Sequence, residues 1–114
     1  MKNKPPIETG PVTKTRWEIM TLPRQLGAIG SEFSMYALLL KKEALIDAEK
    51  SLTEVLRLLD LTISDSKNLK RLKELTRTRE ALADYFAFNN DYHSTDKSWS
   101  NYFYPFNYAS RLGR

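Results

Sequence analysis

The sequence predicts an all-α protein, an antiparallel four-helix bundle with a short last helix that is rich in aromatic residues. Three observations support this fold class. Apolar residues recur every three or four positions, no segment alternates apolar and polar residues over any length, and short polar segments separate the periodic stretches. The first pattern is typical of amphipathic helices and the second gives no support for a sheet. Short connections favour antiparallel neighbours.

The first two helices are predicted over residues 23 to 41 and 43 to 63. Pro23 suits the first turn of a helix, and Thr21 is placed to cap it. The apolar stripes are formed by Leu26, Ile29, Phe33, Ala37 and Leu40, and by Leu45, Ala48, Leu52, Val55, Leu59 and Thr62. No Gly or Pro separates the two segments. The break near residues 41 to 44 is predicted because one helix of about 40 residues is unusual in a small domain.

A face of small residues runs along the first predicted helix, formed by Gly27, Gly30, Ser31 and Ser34. Glycine inside a helix is disfavoured by about 1 kcal/mol relative to alanine. This face therefore predicts a close approach by another helix or by the segment around Trp17. A phosphate-binding loop is disfavoured, because no strand precedes these glycines.

The last two helices are predicted over residues 66 to 88 and 96 to 104. Asp65 lies in a cluster of capping residues before the first of them, and a polar loop separates the two. Pro105 interrupts the pattern, so the last helix is expected to end at residue 104. Residues 1 to 15 contain three prolines and one glycine and predict a flexible arm. Residues 16 to 114 then form a single helical domain.

The amino-acid composition excludes several classes of function. The 114 residues include no Cys and one His, which excludes disulfides, thiolate nucleophiles and Cys-based metal sites. His93 lies between Asp91 and Asp96 in a segment typical of a solvated loop. We therefore expect no metal, no cofactor and no enzymatic activity. The longest apolar run is residues 35 to 40 and no signal peptide is recognisable, so we expect a cytoplasmic protein without a membrane segment.

Aromatic residues are concentrated near the end of the chain, where ten of thirteen fall between Tyr85 and Tyr108. Tyr and Trp combine a large apolar body with a polar tip and are enriched at interfaces. The pattern predicts a docking surface for a second copy or another protein. Its expected residues are Tyr92, Trp99, Tyr102, Phe103, Phe106 and Tyr108. The alternative is that these rings cover the open end of the bundle.

Positive charge is concentrated in the third predicted helix. Residues 67 to 84 carry six basic and three acidic side chains, in a chain whose net charge is +4. The expected contacts to a nucleic-acid backbone are Lys67, Lys70, Arg71, Lys73 and Arg77. This face predicts a nucleic-acid-binding accessory protein as the alternative function. An ordinary solvated face with local ion pairs is the simpler interpretation.

Arg79 falls within the apolar stripe of the same helix. A buried guanidinium must be paired. The interpretation that we favour is that the side chain runs along the core edge to water. A structural ion pair with Glu32 is the hypothesis to test, and Asp60 and Asp84 are alternative partners.

Three segments carry a resemblance to known proteins: residues 17 to 20 (WEIM), 26 to 32 (LGAIGSE) and 84 to 86 (DYF). They resemble segments of a group of small, uncharacterised prokaryotic helical proteins, over about residues 16 to 104. In architecture the predicted bundle is similar to the small four-helix accessory proteins of ribosomal intervening sequences and retroelements, which assemble as rings and bind nucleic acid. Related nuclease bundles place an Arg shortly before a His, and none precedes His93 at that spacing.

Overall fold

The computed structural model describes residues 12 to 87 and 90 to 112, with the side chains of residues 109 to 112 left undescribed. Over this part of the chain the fold is all-α and contains no strand. The helices are α1 (Lys14–Ile19), α2 (Leu22–Lys41), α3 (Leu45–Ser64), a 3-10 helix (Ser66–Arg71), α4 (Leu72–Ala87) and α5 (Asp96–Leu112). Among these helices, none has the length and apolar character needed to cross a bilayer.

The boundary between α2 and α3 confirms the break expected near residues 41 to 44. The amide of Ala44 donates to the carbonyl of Leu39 at 2.9 Å, and the amide of Glu43 donates to Leu40 at 3.0 Å. This is the Schellman pattern, whose left-handed position is usually occupied by glycine. Here Glu43 takes that position with a φ of 60°. The chain therefore turns without the residue that normally marks such a turn.

Helix α1 was not predicted from the sequence. Thr13 caps it by accepting a hydrogen bond from the amide of Arg16 at 3.2 Å. The helix has one buried residue, Trp17. It begins at Lys14 and so overlaps the end of the predicted N-terminal arm, of which residues 1 to 11 lie outside the described residues.

A buried polar network joins α1, α2, α3 and the 3-10 helix. The indole N–H of Trp17 donates to Thr62 Oγ1 at 2.9 Å, and Gln25 Nε2 donates to Asp65 Oδ2 at 3.0 Å. Asn68 Nδ2 donates to Gln25 Oε1 at 2.9 Å. Buried polar groups stabilise a unique arrangement only when all of them find partners. The network fixes the segment that leads into α4.

Asp65 is the charged member of this network. Burial alone would raise the pKa of its carboxyl, but hydrogen bonds from Lys67 and Gln25 outweigh burial and hold the pKa below its ordinary value. A carboxyl with a lowered pKa in the folded state stabilises the fold at pH values above its unfolded pKa of about 4. That stabilisation is lost as the pH falls through the lower folded value.

The last helix differs from the sequence prediction, because α5 continues through Pro105 to Leu112 and is not short. Proline cannot donate to the carbonyl four residues earlier, which belongs to Asn101. Both residues are exposed, so water can bond to that carbonyl. The helix beyond the proline is held by packing, since Phe106 lies against the core.

The core contains apolar residues from all five α-helices. Helices α2 and α5 pack against each other and are in close contact at Gly30. A Cβ atom built on Gly30 would lie 2.7 Å from Phe103 Cβ and 3.2 Å from Asn107 Nδ2. No real Cβ contact is that short, so glycine is required at this position. The small-residue face thus meets α5 at Gly30, as a close helix contact.

Candidate functional site

A groove of about 780 Å³ lies between α4 and the first half of α5, and we call it the α4–α5 groove. Its lining residues are Lys70, Arg71, Lys73, Glu74, Arg77, Thr78, Ala81, Tyr92, Ser94, Ser98, Trp99 and Tyr102. Four of the five predicted nucleic-acid contacts and three of the six predicted interface aromatics therefore meet in one place. The Thr, Ala and Ser residues of this set were not predicted from the sequence, because nothing in their spacing distinguishes them.

The α4 side of the groove is basic. Arg71 pairs with Glu74, with Nη2 and Oε1 2.7 Å apart, so these two charges largely offset each other. Lys70, Lys73 and Arg77 make no ion pair and no hydrogen bond to any residue that the structure describes. Three cations thus remain available on this wall of the groove.

Lys67 does not belong to the groove, although the sequence grouped it with the other basic residues. Its ammonium bonds to the carboxylate of Asp65 and donates to the carbonyl of Glu18 at 3.0 Å. A lysine engaged by two partners within the fold is a poor phosphate contact. The predicted basic face is therefore reduced to its four members on the groove.

The α5 side of the groove is aromatic. Trp99 and Tyr102 lie one helical turn apart, with ring centroids separated by 5.8 Å and planes at 82°. The hydroxyl of Tyr102 lies 3.4 Å from Thr78 Oγ1 and 3.5 Å from Glu74 Oε2, which links it to α4. Burial is the main cause of the raised pKa of Tyr102. Its hydroxyl therefore stays protonated and remains a hydrogen-bond donor.

The indole N–H of Trp99 is buried without a hydrogen-bond partner among the described residues. The residue is 8% exposed, and its indole N–H has no acceptor among the described residues. It is the one buried side-chain polar atom in that part of the chain for which this holds. Leaving such a donor unpaired costs about 1–3 kcal/mol. A buried donor of this kind needs an explanation, and Trp99 lines the groove.

Tyr92 is held over the groove by the loop between α4 and α5. The side-chain amide of Asn90 closes the loop, because its Nδ2 donates to the carbonyl of Ser94 at 2.9 Å and its Oδ1 accepts from the amide of Ser94 at 2.8 Å. The amide of Tyr92 donates to Asp84 Oδ2 at 3.1 Å. The backbone position of Tyr92 is thus fixed, while its side chain remains 52% exposed.

The six predicted interface aromatics do not form one surface. Phe103 is buried against α2, and Phe106 packs partly buried against the same core. Tyr108 is exposed on the opposite face of α5, where its ring stacks with Tyr104 at 6.3 Å. Intramolecular packing therefore accounts for Phe103, which the sequence had assigned to an external surface. It also buries most of Trp99, which is 8% exposed and lines the groove.

The predicted pair of Arg79 with Glu32 is wrong. Arg79 instead forms a two-point pair with Asp60, with Nε–Oδ1 and Nη2–Oδ2 distances of 2.9 Å and 3.3 Å. Asp60 was an alternative partner in the sequence analysis. The pair joins α4 to α3 at a partly exposed position, where ion pairs contribute about 0–1 kcal/mol.

Comparison with known proteins adds no information about this site. The chain matches no protein-family model, no curated protein and no solved structure. Among the described residues, no three His, Cys, Asp or Glu side chains come together in a way that could hold a metal ion. The function must therefore be inferred from the chemistry of the α4–α5 groove.

Proposed function

We propose that this protein binds nucleic acid in the α4–α5 groove and does so without enzymatic activity. The observation that carries the proposal is the meeting of unpaired cations with aromatic rings in one groove. Cations attract the phosphate backbone, and aromatic side chains provide surfaces on which bases stack. In the sequence these two features lie in separate segments.

The charge arrangement supports an anionic ligand. Lys70, Lys73 and Arg77 follow one another at spacings of three and four residues, which aligns them along one wall at intervals of about one helical turn. Glu74 is the one acidic lining residue of the groove and is paired with Arg71. The net potential in the groove is therefore positive.

The side chains that line the groove support a binding role and not a catalytic one. The groove has no His and no carboxylate free of an ion pair, so its lining offers no obvious general base. Its amines and guanidinium groups are suited to hold phosphates as fixed charges. We likewise propose that no cofactor is needed.

The double variant Lys73→Glu, Arg77→Glu tests this function. At low salt its affinity for a single-stranded oligonucleotide is expected to fall at least about tenfold, because two phosphate contacts become repulsive. The slope of log affinity against log salt should become shallower by about two, one for each lost contact. Fluorescence anisotropy of a labelled oligonucleotide measures both quantities.

A matched control is Lys42→Glu, Lys50→Glu, which changes the net charge equally at exposed positions outside the groove. This control should bind within about threefold of the parent protein, since screening weakens charges beyond the contact surface. Equal losses in the two double variants would mean that net charge alone attracts the oligonucleotide, and the groove would then have no special role.

Self-association through the outer face of α5 is a second candidate function. Tyr104 and Tyr108 stack there with ring planes 15° apart, and both are more than half exposed. Stacked, exposed tyrosines are typical of interface anchors. The intact chain is expected to sediment as an oligomer at high micromolar concentration, and Tyr104→Ser, Tyr108→Ser as a monomer. A monomeric intact chain would rule this candidate out.

We also propose the finer architecture expected from the sequence, an antiparallel bundle of α2 to α5. The contacts between α4 and α5 support an antiparallel arrangement of these two helices. Thr78, in the first half of α4, contacts Tyr102, whereas Tyr85, near the end of α4, bonds to Asp96 at the start of α5. A cytoplasmic location and membership of the uncharacterised prokaryotic helical group are retained as proposals on the composition and segments described above.

A further inference from the structure

We infer that the α4–α5 groove selects single-stranded nucleic acid and holds an unpaired base against Trp99. This inference rests on the proposed function and names its substrate class. The ligand must satisfy two walls of different chemistry. One is a row of cations on the end of the 3-10 helix and on α4, and the other is a set of rings and polar groups on α5 and the preceding loop.

The two walls of the groove suit the two chemical parts of a single strand, its phosphate backbone and its bases. Lys70, Lys73 and Arg77 run along one wall at intervals of about one helical turn, which suits a phosphate backbone. The rings of Tyr92, Trp99 and Tyr102 lie on the other wall, where the bases of that strand would point. A duplex offers the same phosphates, but its base faces are stacked on one another and cannot reach a ring.

The indole N–H of Trp99 supplies the second argument. It has no acceptor among the described residues, whereas the N–H of Trp17 is bonded to Thr62. Bases expose carbonyl oxygens and ring nitrogens on the edges that duplex formation occupies. An unpaired base can turn its Watson–Crick edge toward the indole N–H of Trp99, whereas a paired base presents its groove edges alone.

The position of Tyr92 supplies the third argument. Its backbone is fixed by Asp84 and by the Asn90–Ser94 hydrogen bonds, while its ring remains exposed beside the cations. A ring held in this way loses little freedom when a base stacks on it, so its contact area contributes to affinity.

The experiment compares three probes at the same salt concentration: a mixed-sequence strand of about 12 nucleotides, the duplex of that sequence and polyglutamate. We expect the strand to bind at least about tenfold more tightly than the duplex, although the duplex has the higher charge density. Polyglutamate carries charge without bases and tests whether any flexible anion is sufficient.

The two tryptophans provide a readout with an internal control. In ¹⁵N spectra the indole resonance of Trp99 should move on addition of the strand and remain in place with polyglutamate. The resonance of Trp17 should not move with either probe, because its N–H already has a partner. The spectrum of Trp17→Phe assigns the two signals.

Two exposed side chains form a matched pair of variants. Tyr92→Ala is expected to weaken binding of the strand about tenfold, the effect typical of one lost stacking contact. Met35→Ala should leave it unchanged, because this residue has a similar exposure, 47% against 52%, and lies outside the groove. Trp99→Phe keeps a ring and removes the donor, and a loss of about three- to tenfold is expected.

The outcomes separate this inference from the proposed function. Equal or tighter binding of the duplex overturns the inference and leaves nucleic-acid binding intact. An unmoved Trp99 resonance, or the same shift with polyglutamate, also overturns it. Failure of both strand and duplex to bind at low salt overturns the proposed function and the inference together.

Discussion

Phe103→Ala is expected to lower the free energy of unfolding by about 3–5 kcal/mol, the largest effect of any single change that we predict. The side chain is 1% exposed. Its ring centroid lies 6.1 Å from that of Phe33 and 5.0 Å from that of Tyr102. Removing the ring leaves a cavity where α2 and α5 meet, and the loss is a large share of the 5–15 kcal/mol that is typical of a domain.

Urea unfolding followed by circular dichroism measures this loss. The matched control is Tyr104→Ala, one residue further along α5, where the side chain is 64% exposed. The control should stay within about 0.5 kcal/mol of the parent protein. Equal midpoints for the two variants would contradict the burial of Phe103 and favour the external surface that the sequence had predicted.

Gly30→Leu is expected to destabilise the fold by about 1–3 kcal/mol or more, even though leucine is the better helix former. A Cβ atom at position 30 would lie 2.7 Å from Phe103 Cβ and 3.0 Å from its Cγ. Phe103 Cβ cannot move without a shift of the α5 backbone, so the steric effect exceeds the gain in helix propensity.

A pair of identical substitutions isolates the steric effect. Gly30→Ala meets the same short contact, whereas Gly27→Ala adds its methyl group beside a cavity of about 360 Å³. Gly27→Ala should raise the urea midpoint, because alanine is favoured over glycine in a helix by about 1 kcal/mol. A raised midpoint for Gly30→Ala as well would show that α2 and α5 are not in close contact there.

The sequence predicted the long helices because their stability depends on periodic apolar faces. The start of α2 and the length of α3 were visible in that periodicity, and the break between them was inferred from length. The turn itself could not be recognised, because Glu43 occupies a position that usually needs glycine. Local propensity was overridden there by packing of the two helices.

The end of α5 was missed for a related reason. Pro105 removes one hydrogen bond, and the sequence does not show whether water can replace it or whether the next turn is buried. The apolar contacts of Phe106 with the core continue the helix past the proline. A tertiary contact thus decided a boundary that local rules placed eight residues earlier.

The sequence predicted the basic residues and the aromatic residues of the candidate site as two separate surfaces. Helical spacing identifies which residues share a face, but not which neighbouring helix that face meets. Lys73 and Trp99 are 26 positions apart, and only the arrangement of α4 and α5 in the fold places them on one groove. The same limitation explains Arg79, for which spacing gave several partners and the fold selected Asp60.

Backbone amide chemical-shift mapping with a single-stranded oligonucleotide is the sharpest test of whether nucleic acid binds in the α4–α5 groove. The largest changes are expected in two separate segments, residues 70 to 78 and residues 92 to 102, which share the groove. Changes centred instead on Tyr104 and Tyr108, or on the turn between α2 and α3, would show that nucleic acid binds elsewhere.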